Sequence, residues 1–232
     1  MSLWPMQVFD PKAEFSVLER KLPHWSQAGT ICFITWRTLD SIPKSVLNRW
    51  HADRDDWLRR QGINPKADDW KNQLRGLEPK LQGEFVRSFS DRWHRSLDAC
   101  HGACVLKRPE LSKIVSDSLL KFDGDRYEVT DLVVMPNHVH LLAAFVSEEG
   151  MLDQCEGWKH YQAVQLNREL KSSGRFWQQD GFDHLVRSVE QFEALRRYIA
   201  ANPGKARLQD GEFRHYSKDL SKLPAEASPS SE

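Results

Sequence analysis

Three shortages bound this 232-residue chain before any motif is read. No run is long and apolar enough to cross a bilayer, and Met1-Ser2-Leu3-Trp4-Pro5 lacks the basic and apolar regions of a secretion signal. A cytoplasmic protein without a membrane-spanning helix is expected. Cysteine is scarce: Cys32, Cys100, Cys104 and Cys155 lack the spacing of a disulfide framework, so reduced thiols are expected. Excess charge is missing too, with 33 basic against 33 acidic residues. A surface that is basic throughout is excluded, and any polyanion has to be met by local patches. What remains is ordinary for a globular protein, 40% hydrophobic and 28% charged. That length buries one sizeable core. We expect a single domain over residues 1–216, a helical insertion at about 45–100, and a disordered tail over 217–232 rich in Lys, Glu, Ser and Pro.

Periodicity sorts the elements. Thr30 to Arg37 reads as a strand, and Ser41-Ile42-Pro43 opens a helix carrying Leu47, Trp50, Trp57 and Leu58. A polar connection spans Gly62 to Gly76. Leu81, Phe85, Phe89, Trp93 and Leu97 then recur every fourth residue, a second helical stripe. The helix beginning near Pro109 repeats Leu111, Ile114, Val115 and Leu119. Tyr127–Val134 and His138–Phe145 read as a hairpin turned at Met135-Pro136-Asn137. A helix over Leu152–Leu170, an extended piece at Phe176-Trp177 and a helix from Ser188 to Asn202 follow. Antiparallel strands with helices packed on one face make an α+β domain.

Two segments carry chemistry. In Asn137-His138-Val139-His140-Leu141, strand alternation puts His138 and His140 on one face while Val139 and Leu141 turn to the core. Two neutral imidazoles suit a divalent ion and leave coordination positions open. The alternative is a pair of partly exposed histidines in an ordinary hairpin. In the last helix, Phe192, Leu195 and Ile199 form the buried stripe, Ser188 and Gln191 a capping box, and Pro203 the stop. Tyr198 and Asn202 are i, i+4 neighbours at the margin of that stripe. The alternative is a core-edge tyrosine and a capping asparagine.

Together these segments resemble the catalytic parts of the single-tyrosine HUH transposases, specifically the REP-associated tyrosine transposases. The likeness runs from about Ile31 to Leu208. It is carried by Thr30-Ile31-Cys32-Phe33-Ile34-Thr35-Trp36-Arg37, Asp40-Ser41-Ile42-Pro43, Leu97-Asp98-Ala99-Cys100-His101-Gly102-Ala103-Cys104-Val105-Leu106 and Phe122-Asp123-Gly124-Asp125-Arg126-Tyr127. Met135-Pro136-Asn137-His138-Val139-His140, Phe176-Trp177-Gln178-Gln179-Asp180, Asp183, Val186-Arg187 and Tyr198-Ile199-Ala200-Ala201-Asn202-Pro203 follow in the family's order. The chain departs from the pattern at Gly181, where relatives carry an aromatic, and at Gly204-Lys205-Ala206-Arg207.

The resemblance implies a ferredoxin-like or RRM-like sheet, single-stranded DNA hairpins of the REP type as substrate, and attack by Tyr198 that leaves a 5′-phosphotyrosine and a free 3′-OH. A phenol titrating near pH 10 needs activation or a polarised phosphate for such an attack. His138 and His140, with Asn202 as the third ligand one turn beyond Tyr198, would hold Mg²⁺ or Mn²⁺ for that purpose. Arg187, Arg196, Arg197, Lys205 and Arg207 are the candidate DNA contacts, and Trp177 and Phe182 the candidate stacking platforms. A monomer or homodimer associated with the nucleoid is expected. The insertion is expected to add a partner or DNA surface. Cys100-His101-Gly102-Ala103-Cys104, with His94, offers a rival structural zinc site. Two functional alternatives stay open: a domesticated protein that binds single-stranded DNA or RNA hairpins without turnover, and a metal-dependent phosphodiesterase or RNA-binding module.

Overall fold

The strand at Ile31–Arg37 shows how the sheet is layered. Cys32, Ile34 and Trp36 enter one apolar cluster and Ile31 and Phe33 another, and all seven residues are buried. A strand covered on both faces loses the polar-out alternation and reads as one apolar run. The computed structural model describes residues 8, 10, 16–19, 23–26, 29–90, 100–178 and 182–220.

In chain order the strands are β1 (Ser16–Glu19), β2 (Pro23–Ser26), β3 (Ile31–Arg37), β4 (Tyr127–Val134), β5 (His138–Phe145), β6 (Phe182–Leu185) and β7 (Arg214–Ser217). The helices are α1 (Lys44–Arg60), α2 (Trp70–Arg75), α3 (Pro79–Phe85), α4 (Pro109–Leu120), α5 (Glu148–Leu170) and α6 (Val189–Lys205). β1 and β2 form a separate antiparallel pair. The main sheet runs β6-β3-β5-β4-β7, every neighbour antiparallel. Its first four strands have the ferredoxin-like order, with α4 and α5 in the two crossover connections.

Leu111, Val115 and Leu119 of α4 and Trp158 and Leu166 of α5 share one cluster with the Val139 and Leu141 side of the sheet. Both crossover helices therefore lie on one face, as the α+β reading expects. The last helix differs: Phe192 and Ile199 of α6 pack with Phe33, Val133 and Leu142 on the opposite face. The reason is the alternation itself, since Phe33, Val133 and Leu142 leave an apolar strip on the histidine side that needs cover.

Two compact units divide the chain, residues 1–39 with 104–232, and residues 40–103. The second has its own core of Trp57, Leu58, Ile63 and Phe89, flanked by Trp50, Trp70, Leu74 and Phe85. The stretch over 62–76, expected as a polar connection, contains the short α2. Past Phe85 the α3 chain widens into a π-type turn at Val86–Ser90. Trp93 and Leu97, the end of the expected stripe, lie outside the described residues.

The C-terminal boundary also moves. Residues expected to begin a tail at 217 instead complete a strand, Arg214–Ser217, on the free edge of β4, and the Lys218 amide donates to the Thr130 carbonyl at 2.7 Å. The Lys218 ammonium pairs with Asp123 at 3.0 Å and with Glu128. Burial pulls its pKa down, but the bonds to the two carboxylates outweigh this and the net shift is upward from 10.5. The tail expected over 221–232 lies outside the described residues. No helix among the described residues is long and apolar enough to cross a membrane.

Three outcomes follow. Leu141→Ala, at a fully buried position of the central strand, should cost about 2–5 kcal/mol in urea unfolding followed by tryptophan fluorescence. Tyr161→Ala, on the exposed side of α5, should cost less than about 0.5 kcal/mol. The folded state holds the Lys218 proton more tightly than the unfolded chain does. Its stabilisation is therefore complete below pH 10.5 and lost as pH rises through the higher folded value. The melting difference between wild type and Lys218→Met should accordingly shrink above pH 10.5.

Candidate active site

β3 and β5 pair so that Thr35 stands opposite His140 and Arg37 opposite His138. Directly opposed residues of an antiparallel pair share a face. Thr35, Arg37, His138 and His140 therefore form a polar island at one end of the α6 side of the sheet, beyond Phe33 and Leu142. Both histidines are fully buried, unlike the surface histidines of an ordinary hairpin. Their rings meet edge to face with centroids 4.7 Å apart.

Each ring is oriented by a neighbour. His138 Nδ1 lies 2.7 Å from Asn137 Oδ1, and His140 Nδ1 lies 2.7 Å from Thr35 Oγ1. A carboxamide oxygen only accepts, so His138 carries its proton on Nδ1 and turns the lone pair of Nε2 to the site. The same tautomer at His140, with Nδ1–H donating to the Thr35 hydroxyl oxygen, leaves Nε2 as an acceptor. Tyr198 meets that nitrogen: its hydroxyl is 3.3 Å from His140 Nε2, with ring centroids 5.2 Å apart. Phe33 packs against both rings, stacked on His140 at 5.4 Å and edge-on to Tyr198 at 6.1 Å.

α6 delivers Tyr198. Ser188 caps its N-terminus by accepting from the Gln191 amide at 3.1 Å, while Gln191 Oε1 reaches back to the Arg187 amide at 2.8 Å. The helix does not stop at Asn202. Pro203 sits inside it and the last turn runs on to Lys205 before Arg207 adopts a left-handed conformation at φ 54°. A proline near a C-terminus forfeits one bond of the ladder, here to Ile199, and the Ala206 amide still donates to the Asn202 carbonyl. This extra turn places the Lys205 ammonium 4.7 Å from the centre of the Tyr198 ring.

Asn202 is the third of the expected ligands. It is fully buried, its Nδ2 donates to the Tyr198 carbonyl at 3.4 Å, and its Oδ1 is buried with no hydrogen-bond partner. A buried acceptor left in that state needs an explanation. No group of three His, Cys, Asp or Glu side chains suited to a metal occurs among the described residues, so an ion held here would need a ligand of another type. Two imidazole nitrogens and one amide oxygen form a donor set that fits a divalent ion.

The other expected residues separate by placement. Arg187, Arg197, Lys205 and Arg207 are exposed and free to face a polyanion. Arg196 is not of that kind: its guanidinium bonds Asp131 at 2.9 Å, Ser217 at 3.0 Å and the Lys218 carbonyl at 3.1 Å. Trp177 is no stacking platform either. It is 3% exposed and packs edge-on to Trp36 at 6.2 Å, because a backbone bridge to Thr38 draws it under the sheet. Phe182 pairs through its backbone with Thr35, and its side chain lies outside the described residues.

The rival zinc motif has a structural account. Cys100, Gly102 and Cys104 all take positive φ, and a Cβ at Gly102 would stand 2.6 Å from the Asp40 carbonyl oxygen. The Asp40 carboxylate accepts from the Ala103 amide at 2.7 Å. Glycine is required by that tight turn. His94 lies outside the described residues.

Sequence reasoning passed over Thr35, Asn137 and Arg37. Asn137 directly precedes His138 and was visible as the polar end of the turn. Thr35 and Arg37 join the site only through the strand register, which no local pattern prints. Burial pulls the Arg37 guanidinium down to about 10, so it remains a cation at neutral pH on the face that carries His138.

Residues 108–202 match the model of a family described as transposase IS200 like. The matched stretch runs through α4, the β4–β5 hairpin, α5, β6 and most of α6, and includes His138, His140, Tyr198 and Asn202. Over these residues the chain is similar to IS200-like transposases, in line with the resemblance noted in the sequence. A solved structure described as the REP-associated tyrosine transposase bound to a REP hairpin is similar at TM-score 0.40 and 13% identity, over 77% of this chain and 69% of that one. No curated protein is matched.

If the donor set is as assigned, calorimetry should show one Mn²⁺ site in the wild type that His138→Ala and Asn202→Ala each weaken sharply. Thr35→Val, which touches no metal but unseats His140, should weaken it by about 10–100-fold.

Proposed function

We propose that this protein is a transposase that cleaves and rejoins single-stranded DNA at REP-like hairpins through a covalent bond to Tyr198, with Mg²⁺ or Mn²⁺ as cofactor. The observation that carries this reading is the hydroxyl of Tyr198 at 3.3 Å from His140 Nε2 within one chain, with Asn202 one turn further along the same helix. The family match over 108–202 supports the transposase class.

His138, His140 and Asn202 would hold the ion, which when bound supplies positive charge to a phosphate oxygen and to the departing 3′ oxygen. The chain's own residues do the rest. Phe33 and His140 wall the Tyr198 ring on two sides, which limits the directions in which its oxygen can travel. That oxygen attacks phosphorus, an O–P bond to tyrosine forms, and the P–O3′ bond breaks. The phenol loses one proton and the freed 3′-OH gains one, so no net acid or base is consumed. Lys205, against the Tyr198 ring, puts a cation where the phosphodiester enters. Attack by another 3′-OH reverses the sequence and joins strands, because the phosphotyrosine conserves the bond energy.

Placement of the tyrosine on the histidine face favours this reading over that of a hairpin-binding protein without turnover. The test is a denaturing gel with end-labelled single-stranded hairpins taken from repeats flanking the gene. The wild type should give a protease-sensitive shifted band with Mn²⁺ that chelator and Tyr198→Phe each abolish. Hairpin binding with no adduct from any such repeat would reject transposition in favour of the non-transposing binder. Turnover without an adduct would identify water as the nucleophile, as in a phosphodiesterase.

A further inference from the structure

We infer that Arg196 is a positioning residue that sets the roll of α6, and hence the reach of Tyr198, by anchoring the helix to Asp131 and to the C-terminal strand. This rests on the reading of Tyr198 as nucleophile. Arg196 and Tyr198 are two positions apart, about 200° around the helix, so they leave opposite flanks of the stripe formed by Phe192, Ile199 and Asn202. Tyr198 reaches the β3–β5 side at His140, and Arg196 the β4–β7 side at Asp131.

The anchor is a built network. Asp131 is 1% exposed; its Oδ2 accepts from Arg196 Nε at 2.9 Å and its Oδ1 from the Ser217 hydroxyl at 2.6 Å. Arg196 Nη2 donates to both Ser217 Oγ and the Lys218 carbonyl. Lys218 is in turn tied to Glu128, Asp123 and the Thr130 carbonyl. Asp131 sits at the register shift of β4, where the strand bulges against β5. A bulge re-aims the side chain it carries. The result is a charge-assisted fork on one flank and the nucleophile on the other, with the apolar stripe as pivot.

Apolar packing alone resists tilt better than rotation, since hydrophobic contact has no direction. A roll of roughly 10° moves a side-chain tip at the outer radius of a helix by about 1 Å. Misplacement by about 1 Å costs on the order of 10²-fold in rate. The fork supplies the directional constraint that the stripe lacks.

The test separates positioning from DNA contact. Arg196→Met/Asp131→Asn removes both charges and leaves no unpaired buried carboxylate. We expect its affinity for the end-labelled hairpin to stay within about threefold of wild type. Its adduct rate at saturating DNA should fall at least about 30-fold, consistent with a displacement of about 1 Å. Amide exchange in α6 should accelerate about tenfold or more relative to β5, as expected of local opening. Arg196→Lys, which keeps the charge without the fork, should fall between, as should Ser217→Ala, and these two carry the test should the double variant not fold. An unchanged rate, or weaker binding with a normal rate at saturation, would overturn the inference and make Arg196 a phosphate contact or a bystander. If the wild type itself gives no adduct, the transposase reading falls. The anchor is then judged by exchange alone, where protection of α6 equal to wild type would reject it.

Discussion

The pairing of β3 with β5 is the constraint on which the site depends. Side chains alternate along a strand, so a slip of one residue would turn His138 and His140 into the cluster around Val139 and Leu141 and bring those two to the α6 face. The burial of Trp36, Val139 and Leu141 opposes any such slip. The apolar side of the sheet thereby determines where the polar side presents its nitrogens. Thr35 and Arg37 are recruited by the same register, although neither has a local reason to be near a histidine.

α6 is placed by a second, weaker set of forces. Its Ser188 cap fixes where it starts, its stripe presses on Phe33, Val133 and Leu142, and its flanks are held by unlike contacts, a guanidinium fork on one side and an aromatic wall on the other. Asn202 belongs to the same rigid element as Tyr198. Any motion that withdraws the hydroxyl also withdraws the amide oxygen, so in the proposed mechanism ion binding and nucleophile alignment would be coupled through one helix.

Much of the site was legible because its elements are short and strongly patterned. The hairpin carrying both histidines falls at the expected residues, since apolar strands bounded by Met135-Pro136-Asn137 admit no other register in a buried sheet. Tyr198 and Asn202 share a face because helical spacing requires it. What escaped was tertiary. Trp177 resembled an exposed aromatic in a polar stretch until its bridge to Thr38 drew it under the sheet. Arg196 was indistinguishable from Arg197 in sequence, yet a buried carboxylate 65 residues away in the chain claims one and leaves the other exposed. β7 is four residues with a mixed pattern, visible only once the free edge of β4 is known.

The turn between Asp40 and Ala103 bears on how this chain tolerates change. The carboxylate of the first residue of the inserted unit accepts the amide of its last at 2.7 Å, and Gly102 lets the two backbones close on each other. A segment whose ends are tied together is, to the strand that precedes it and the helix that follows, equivalent to a tight loop. The 64 residues of that unit can then be exchanged, diversified or lost while β3 and β5 keep their register, because closure entropy grows only slowly with the length spanned. The chemistry and the insertion are thus free to evolve on separate schedules.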